Sequence, residues 1–343
     1  MATRRSQHLL VGLVVAAAST AVYFARGTPA EAPAPPPASA TARPMATSAA
    51  PTASATARPS PTATAQPSPT ATAEPTPAAI SGYTSHVLAS GETLEAVAAS
   101  LASDAALIAR YNRLQQAPKP GHPLIIPQLE GKGGGQPSPP PLVRRGRGDM
   151  PWVALTLDAG GTAENVPEVL AALRARHAHI TFFLTGKWIR ENPELTRQIV
   201  ADGHEIGNHT LDHPDLTTLD DASIRRELAE TEALLHQAAG EAASIRPFFR
   251  PPFGAYDERV LRVAVGEGYL PIYWTFDSLD SVGKPKTPEF LLERVTGHLP
   301  PEQLRGAIIL AHCGLAPTAA ALPQILDRLA ELGLEVRPIS DVL

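Results

Sequence analysis

From Trp152 onward, apolar runs of strand length alternate with stretches whose apolar residues recur at helical spacing. The strand candidates are Trp152 to Leu157, Ile180 to Leu184, Glu205 to Asn208, Phe248 to Arg250, Pro271 to Thr275 and Ala307 to Ala311. Between them, helical periods run over Val169 to Arg176, Ile224 to Ala238 and Ala320 to Leu332. This alternation predicts an α/β domain with parallel strands over residues 151–343. Its 193 residues fall short of the roughly 250 of a regular eight-unit barrel. A distorted, reduced (β/α) barrel is therefore predicted.

A second, smaller pattern occupies residues 82–128. Val87, Leu94, Val97, Leu101, Leu107, Ile108, Leu124 and Ile126 predict a short strand, two helical stretches and a closing strand. Gly91, Glu92, Thr93 and Leu94 read as a turn into a helix N-terminus, with Thr93 as its cap. Asn112 ends the second helical stretch, and Pro120 and Gly121 turn the chain into the last strand. The runs HVLASGETLEAVAASLA, ALIARYN and KPGHPLIIP resemble the lysin motif (LysM) through its whole length. That resemblance implies a β-α-α-β domain that binds N-acetylglucosamine-containing glycan beside Gly91, Glu92, Thr93, Leu94, Pro120 and Gly121. A small spacer domain without a ligand is the plain alternative.

The N-terminal part reads differently. Arg4 and Arg5, the apolar run Leu9 to Phe24 and then Arg26 form the basic and apolar regions of an export signal, so residues 1–28 are predicted to be a signal peptide or signal anchor. Membrane anchoring would rest on residues 9–24. Residues 29–81 are rich in Ala, Pro, Thr and Ser and contain the repeat PTATAQPS, PTATAEPT. Between 29 and 79 the only large apolar side chain is Met45, so this stretch cannot repay the entropy of ordering and is predicted to be an extended linker. A second linker is expected at 129–150, with Arg144, Arg145 and Arg147 as a solvated run. The predicted location is extracellular, in contact with the cell wall.

Charge narrows the function classes. With 29 Lys and Arg against 34 Asp and Glu, the net charge is −5, without the basic excess of a nucleic-acid binder. The single cysteine, Cys313, excludes an intrachain disulfide framework and a multi-cysteine metal site. Adjacent to His312, it reads as a small core residue and not a nucleophile.

Chemistry concentrates at the strand ends. Asp158 follows VALTL, His209 and His213 follow HEIGN, Arg250 follows FF, Asp277 and Asp280 follow IYWTF, and His312 follows AIILA. In parallel α/β barrels, reacting side chains collect at the C-terminal strand ends. Taken singly, each has a bland explanation as a cap or core residue, but five strand ends carrying an acid, a base or a ligand point to a site.

Five segments, TLDAGG at 156–161, HTLDH at 209–213, RPPFG at 250–254, DSLDS at 277–281 and IILAH at 308–312, are similar in order and spacing to the motifs of the polysaccharide deacetylases, carbohydrate esterase family 4. The resemblance implies hydrolysis of N-acetyl groups from a cell-wall aminosugar polymer, peptidoglycan or a chitin-like glycan. It makes Asp158 the base, oriented and kept ionised by Arg250, and His312 the acid, held as imidazolium by Asp280. His209 and His213 would hold a divalent metal such as zinc or cobalt. The Phe253 amide would help bind the oxyanion, and Leu310 would line the acetyl pocket.

Two positions depart from the family. Ala159 stands where a metal-ligating Asp is usual, which leaves two imidazoles unless Glu164 or Asp212 supplies an oxygen. Ser281 stands where a Trp is usual and removes one wall of the acetyl pocket. Two other readings follow: a catalytically silent glycan-binding protein that has lost its metal, and an O-acetyl esterase acting on xylan.

Overall fold

The computed structural model describes residues 79–131 and 139–343. The export segment, the membrane-anchoring run and almost all of the 29–81 linker lie outside the described residues. Among the described residues, no helix is long and apolar enough to cross a membrane.

The small unit is β1 (Ile80–Val87), α1 (Leu94–Ser100), α2 (Ala105–Tyr111) and β2 (Pro123–Leu129), so it extends slightly beyond the predicted 82–128 at both ends. The two strands pair antiparallel. Thr93 caps α1 by accepting a bond from the Ala96 amide, and Asp104 caps α2 through the Leu107 amide. Asn112 does more than end α2. Its buried amide donates to the Ile108 and Ile125 carbonyls and accepts from the Ile125 amide, which ties helix to strand.

The large domain continues through β3 (Trp152–Ala159), α3 (Val166–Ala175), β4 (Thr181–Leu184), α4 (Gly186–Glu191), α5 (Pro193–Ala201), β5 (Glu205–Asn208), α6 (Asp221–Ala239), β6 (Phe248–Phe249), α7 (Glu258–Gly266), β7 (Leu270–Pro271) and β8 (Phe276–Asp277). It ends with α8 (Pro288–Gly297), α9 (Pro301–Leu304), β9 (Ile308–His312), α10 (Ala316–Glu331), β10 (Glu335–Val336) and α11 (Ile339–Val342). The sheet order is β7-β6-β5-β4-β3-β9-β8, with β10 beside β3. Every pairing within it is parallel. The sheet curls into a half-barrel with helices outside it, as the alternating pattern predicts.

Two features depart from the sequence reading. The segment expected as one strand over Pro271 to Thr275 is split, because the chain crosses there from one sheet edge to the other. The Ile272 amide donates to Phe249 on the β6 side, the Tyr273 amide to Val143, and the Thr275 amide to Ile308 on the β9 side. The other departure is the expected linker. Residues 143–145 bridge the open seam, with Val143 pairing with Ile272 and Arg145 with Ala307. Arg144 and Arg145 are exposed, as a solvated run requires, yet all three arginines have partners: the Arg144 guanidinium lies 4.2 Å over the Tyr273 ring, Arg145 donates to the Gln303 and Arg305 carbonyls, and Arg147 pairs with Asp149. A seam in a curled sheet exposes unpaired backbone groups, and this segment satisfies them.

Candidate active site

The C-terminal strand ends gather the predicted residues at one cleft of about 400 Å³, lined by Asp158, His209, His213, Asp277 and His312, with Phe253, Trp274, Leu310 and Ser281 among its other walls. Asp158 and His312 come from adjacent strands. Arg250 lies immediately beneath, fully buried, and its Nη1 donates to Asp158 Oδ1 at 2.6 Å and to Thr156 Oγ1 at 2.9 Å. A buried guanidinium needs such a partner: burial lowers the Arg250 pKa, and the Asp158 carboxylate opposes that shift. The pair fixes the carboxylate while leaving Oδ2 on the side of His209 Nε2, 3.5 Å away.

His209 Nδ1 lies 2.8 Å from the Arg250 carbonyl. A carbonyl can only accept, so Nδ1 carries the proton and Nε2 presents its lone pair. Burial, partly opposed by the Asp158 charge, lowers the pKa of His209. His213 is held down to about 4 by burial and by the neighbouring His209. Both rings are therefore neutral near pH 7, and they stand 4.8 Å apart, edge to face. Neutral imidazole is the form that ligates a metal.

The loop carrying these histidines is strained and braced. Thr210 and His213 both have left-handed backbone, with φ of 67° and 61°. Asn208 Oδ1 accepts from the Thr210 amide, Thr210 Oγ1 from the His213 amide, and buried Glu227 of α6 from the amides of Leu211 and Asp212. Asn208 and Glu227 were not among the predicted site residues. Glu227 had a legible signal, since it is a charge on the face of α6 that also carries the buried Ile224 and Leu228.

Across the cleft, His312 Nδ1 is 2.8 Å from Asp280 Oδ1, and the His312 amide donates to Asp280 Oδ2. Thr318 also donates to Oδ2. Burial acts against a charged His312, but the Asp280 carboxylate outweighs it and the imidazole pKa is raised. Asp280 itself is lowered, burial being outweighed by His312 and Thr318. Asp277, also in the cleft, is raised by burial, and its Oδ1 accepts from the Leu279 amide. Cys313 is buried, and burial pushes its thiol far up, consistent with a core residue.

The metal question turns on donors. Two neutral imidazoles, one with its tautomer fixed by a carbonyl, fit a divalent cation. Among the described residues, no three His, Cys, Asp or Glu side chains form a group that could hold a metal ion, whereas catalytic zinc sites usually supply three protein ligands. Ala159 is fully buried at the end of β3 and offers only a methyl group. Glu164 and Asp212 are exposed and do not line the cleft, so neither replaces the missing oxygen. Phe253, 71% exposed with a left-handed φ of 59°, lays its ring edge to face on His213 at 4.5 Å. Trp274, stacked on Tyr273 at 3.8 Å, adds an aromatic wall to a cleft that has Ser281 in place of the usual Trp. Its position was not anticipated from the sequence.

Comparison with known proteins follows the same lines. The family model for polysaccharide deacetylases matches residues 145–289. The chain is 32% identical to the chitooligosaccharide deacetylase of Sinorhizobium fredii, over 57% of this chain and 93% of that protein. It is 31% identical to a peptidoglycan-N-acetylglucosamine deacetylase of Bacillus cereus, over 53% of this chain and 64% of that one. Among solved structures it is similar to BA3943 of Bacillus anthracis, a CE4 family pseudoenzyme, at 32% identity and a TM-score of 0.54, over 59% of this chain and 69% of that one. A mutant of that protein has restored enzymatic activity. The chain spans 61% to 70% of the length of several curated relatives. On the curled half-barrel, the five strand-end motifs and near-complete coverage of a relative above 30% identity, the chain belongs to the polysaccharide deacetylase family.

Proposed function

We propose that the large domain is a metal-assisted hydrolase that removes N-acetyl groups from an N-acetylglucosamine polymer of the cell wall. The observation that carries this reading is the neighbouring pair of Asp158 and His312 on adjacent strands, each with its own charged partner. Sugar binding alone has no use for a carboxylate fixed by a buried Arg250 beside an imidazole whose pKa is raised by a buried Asp280. In acetamide hydrolysis, water adds to the carbonyl carbon, the C–N bond breaks, and acetate and a free amine leave. Asp158 takes the proton of the attacking water, and His312 gives one to the departing nitrogen. Asp280 favours the charged form of His312 for that transfer, and Leu310, a wall of the cleft, would line the pocket for the acetyl methyl. His209 and His213 would hold a divalent ion such as zinc or cobalt, which when bound sharpens the water and polarises the carbonyl.

The small unit is read as a lysin motif that holds the same class of glycan at the turns of Gly91 to Leu94 and Pro120 to Gly121. Both Gly91 and Gly121 adopt left-handed φ, 80° and 88°, which only glycine takes without strain. The Glu92 carboxylate is occupied within its turn, accepting from the Ala89 amide and lying 2.6 Å from His86 Nε2. It therefore braces the turn. With an export signal ahead of it, the protein acts outside the cell against the wall.

A second reading, a glycan-binding protein without catalysis, is favoured by one observation, the Ala159 methyl at the ligand position, and by the likeness to a pseudoenzyme. Acetate release from chitooligosaccharides, measured with and without zinc or cobalt, separates the two. Metal-stimulated release supports the hydrolase. Glycan binding with no release under any metal condition overturns it in favour of the second reading.

A further inference from the structure

The small unit sits at the end of the barrel opposite the cleft, and its attachment is built into the core. Its hydrogen bonds and ion pairs to the barrel gather near the N-terminal strand ends. Tyr111 Oη donates to the Gly268 carbonyl at 2.8 Å, just before β7. Arg113 donates to the Ser244 carbonyl ahead of β6 and pairs with Glu205, the first residue of β5, at 3.5 Å. The Arg246 guanidinium is held by Glu232 and lies over the rings of Tyr83 in the small unit and Tyr269 in the barrel, at 5.5 and 4.6 Å. Gly268 has φ of 84°, and a Cβ there would run into Tyr111 and Arg246, so this close approach depends on glycine. Ile125 of β2 is fully buried in one cluster with Phe183, Phe248, Leu270 and Ile272 of the barrel. Lys119, in the loop beside Gly121, pairs with Asp149 ahead of β3.

The catalytic groups all lie at the other ends of these strands. From Trp152 to Asp158 on β3, six residues at about 3.3 Å each cover roughly 20 Å. A unit swinging on a flexible linker would bring its bound sugar to the cleft. One whose Ile125 fills the barrel base cannot.

Resting on the reading that both the cleft and the small unit take N-acetylglucosamine glycan, we propose that the small unit is a fixed base of the barrel and that the protein bridges two glycan strands, one held at the base and a different one in the cleft. The base then positions the enzyme between neighbouring strands of a wall and does not feed its own strand into the site.

The test uses the full chain with spin labels at Glu95→Cys and Lys284→Cys, two exposed positions at opposite ends. Native Cys313 is buried and takes no label. One narrow distance distribution, unchanged by chitopentaose, is expected, and a broad one overturns the fixed base whatever the glycan affinity. In parallel, chitooligosaccharide beads are mixed with fluorescent chitooligosaccharide. The chain is expected to carry fluorescence onto the beads several-fold above a protein-free control, and an excess of free oligosaccharide is expected to abolish it. A chain that binds the beads yet carries no second oligosaccharide overturns the bridging alone. A chain that does not bind the beads overturns the glycan reading on which it rests.

Discussion

Asp158 on β3 and His312 on β9 are direct partners in a parallel ladder, so the proposed base and acid stand side by side on neighbouring strands. Because strand register sets their relation, neither can drift without unzipping the barrel. Asp158→Asn is expected to lower kcat for acetate release by about 100-fold or more, the scale of general base catalysis, with an unchanged circular dichroism spectrum. A variant that keeps its rate would remove Asp158 from the chemistry.

Asp280 acts through His312. Its carboxylate raises the imidazole pKa, so the charged acid persists to higher pH than an ordinary histidine, and the rate is expected to fall on the alkaline side as pH rises through that raised value. In Asp280→Asn the alkaline limb should move to lower pH and the rate at neutral pH should drop. Profiles that superimpose would show that the pair is structural only.

Arg250 is a buried charge whose counter-ion is Asp158. Removing it leaves an unpaired carboxylate inside the barrel, which typically costs about 3–5 kcal/mol. Arg250→Met is therefore expected to lower the denaturant midpoint markedly as well as the rate. An unchanged midpoint would mean that water reaches Asp158 freely.

Ala159→Asp places a carboxylate where the family has its ligand, in a fully buried position. Without metal, the new charge lacks a partner and should destabilise the fold. With zinc it should gain one, so the melting temperature is expected to rise with added zinc more in the variant than in the natural chain, and acetate release should rise with it. Equal zinc responses in the two proteins would place the ion elsewhere.

Stability should also report two histidines remote from the cleft. Burial lowers both His122 and His204 to about 4. An unfolded chain protonates its histidines near the ordinary value of about 6.5, so between there and about 4 the unfolded state binds more protons than the folded one. Stability is then full above that window and falls with decreasing pH, by about 1.4 kcal/mol per pH unit for each group. Thermal melts of His204→Gln should show a shallower acid slope than the natural chain.

The sequence by itself determined what the strands carry and where they end. Side-chain period and turn residues are local, so the alternation of elements, the Thr93 cap and the placing of Asp158, His209, Arg250 and His312 at C-terminal strand ends could be read directly. The gap at Ala159 was equally plain. The tertiary structure alone decided that Glu164 and Asp212 stay out of the cleft and that Asn208 and Glu227 brace the histidine loop. It alone showed Trp274 in the cleft wall, residues 143–145 closing the seam, and Ile125 filling the base. Each of these joins groups far apart in the chain, and such pairings depend on sheet order and curvature, which local periodicity does not contain.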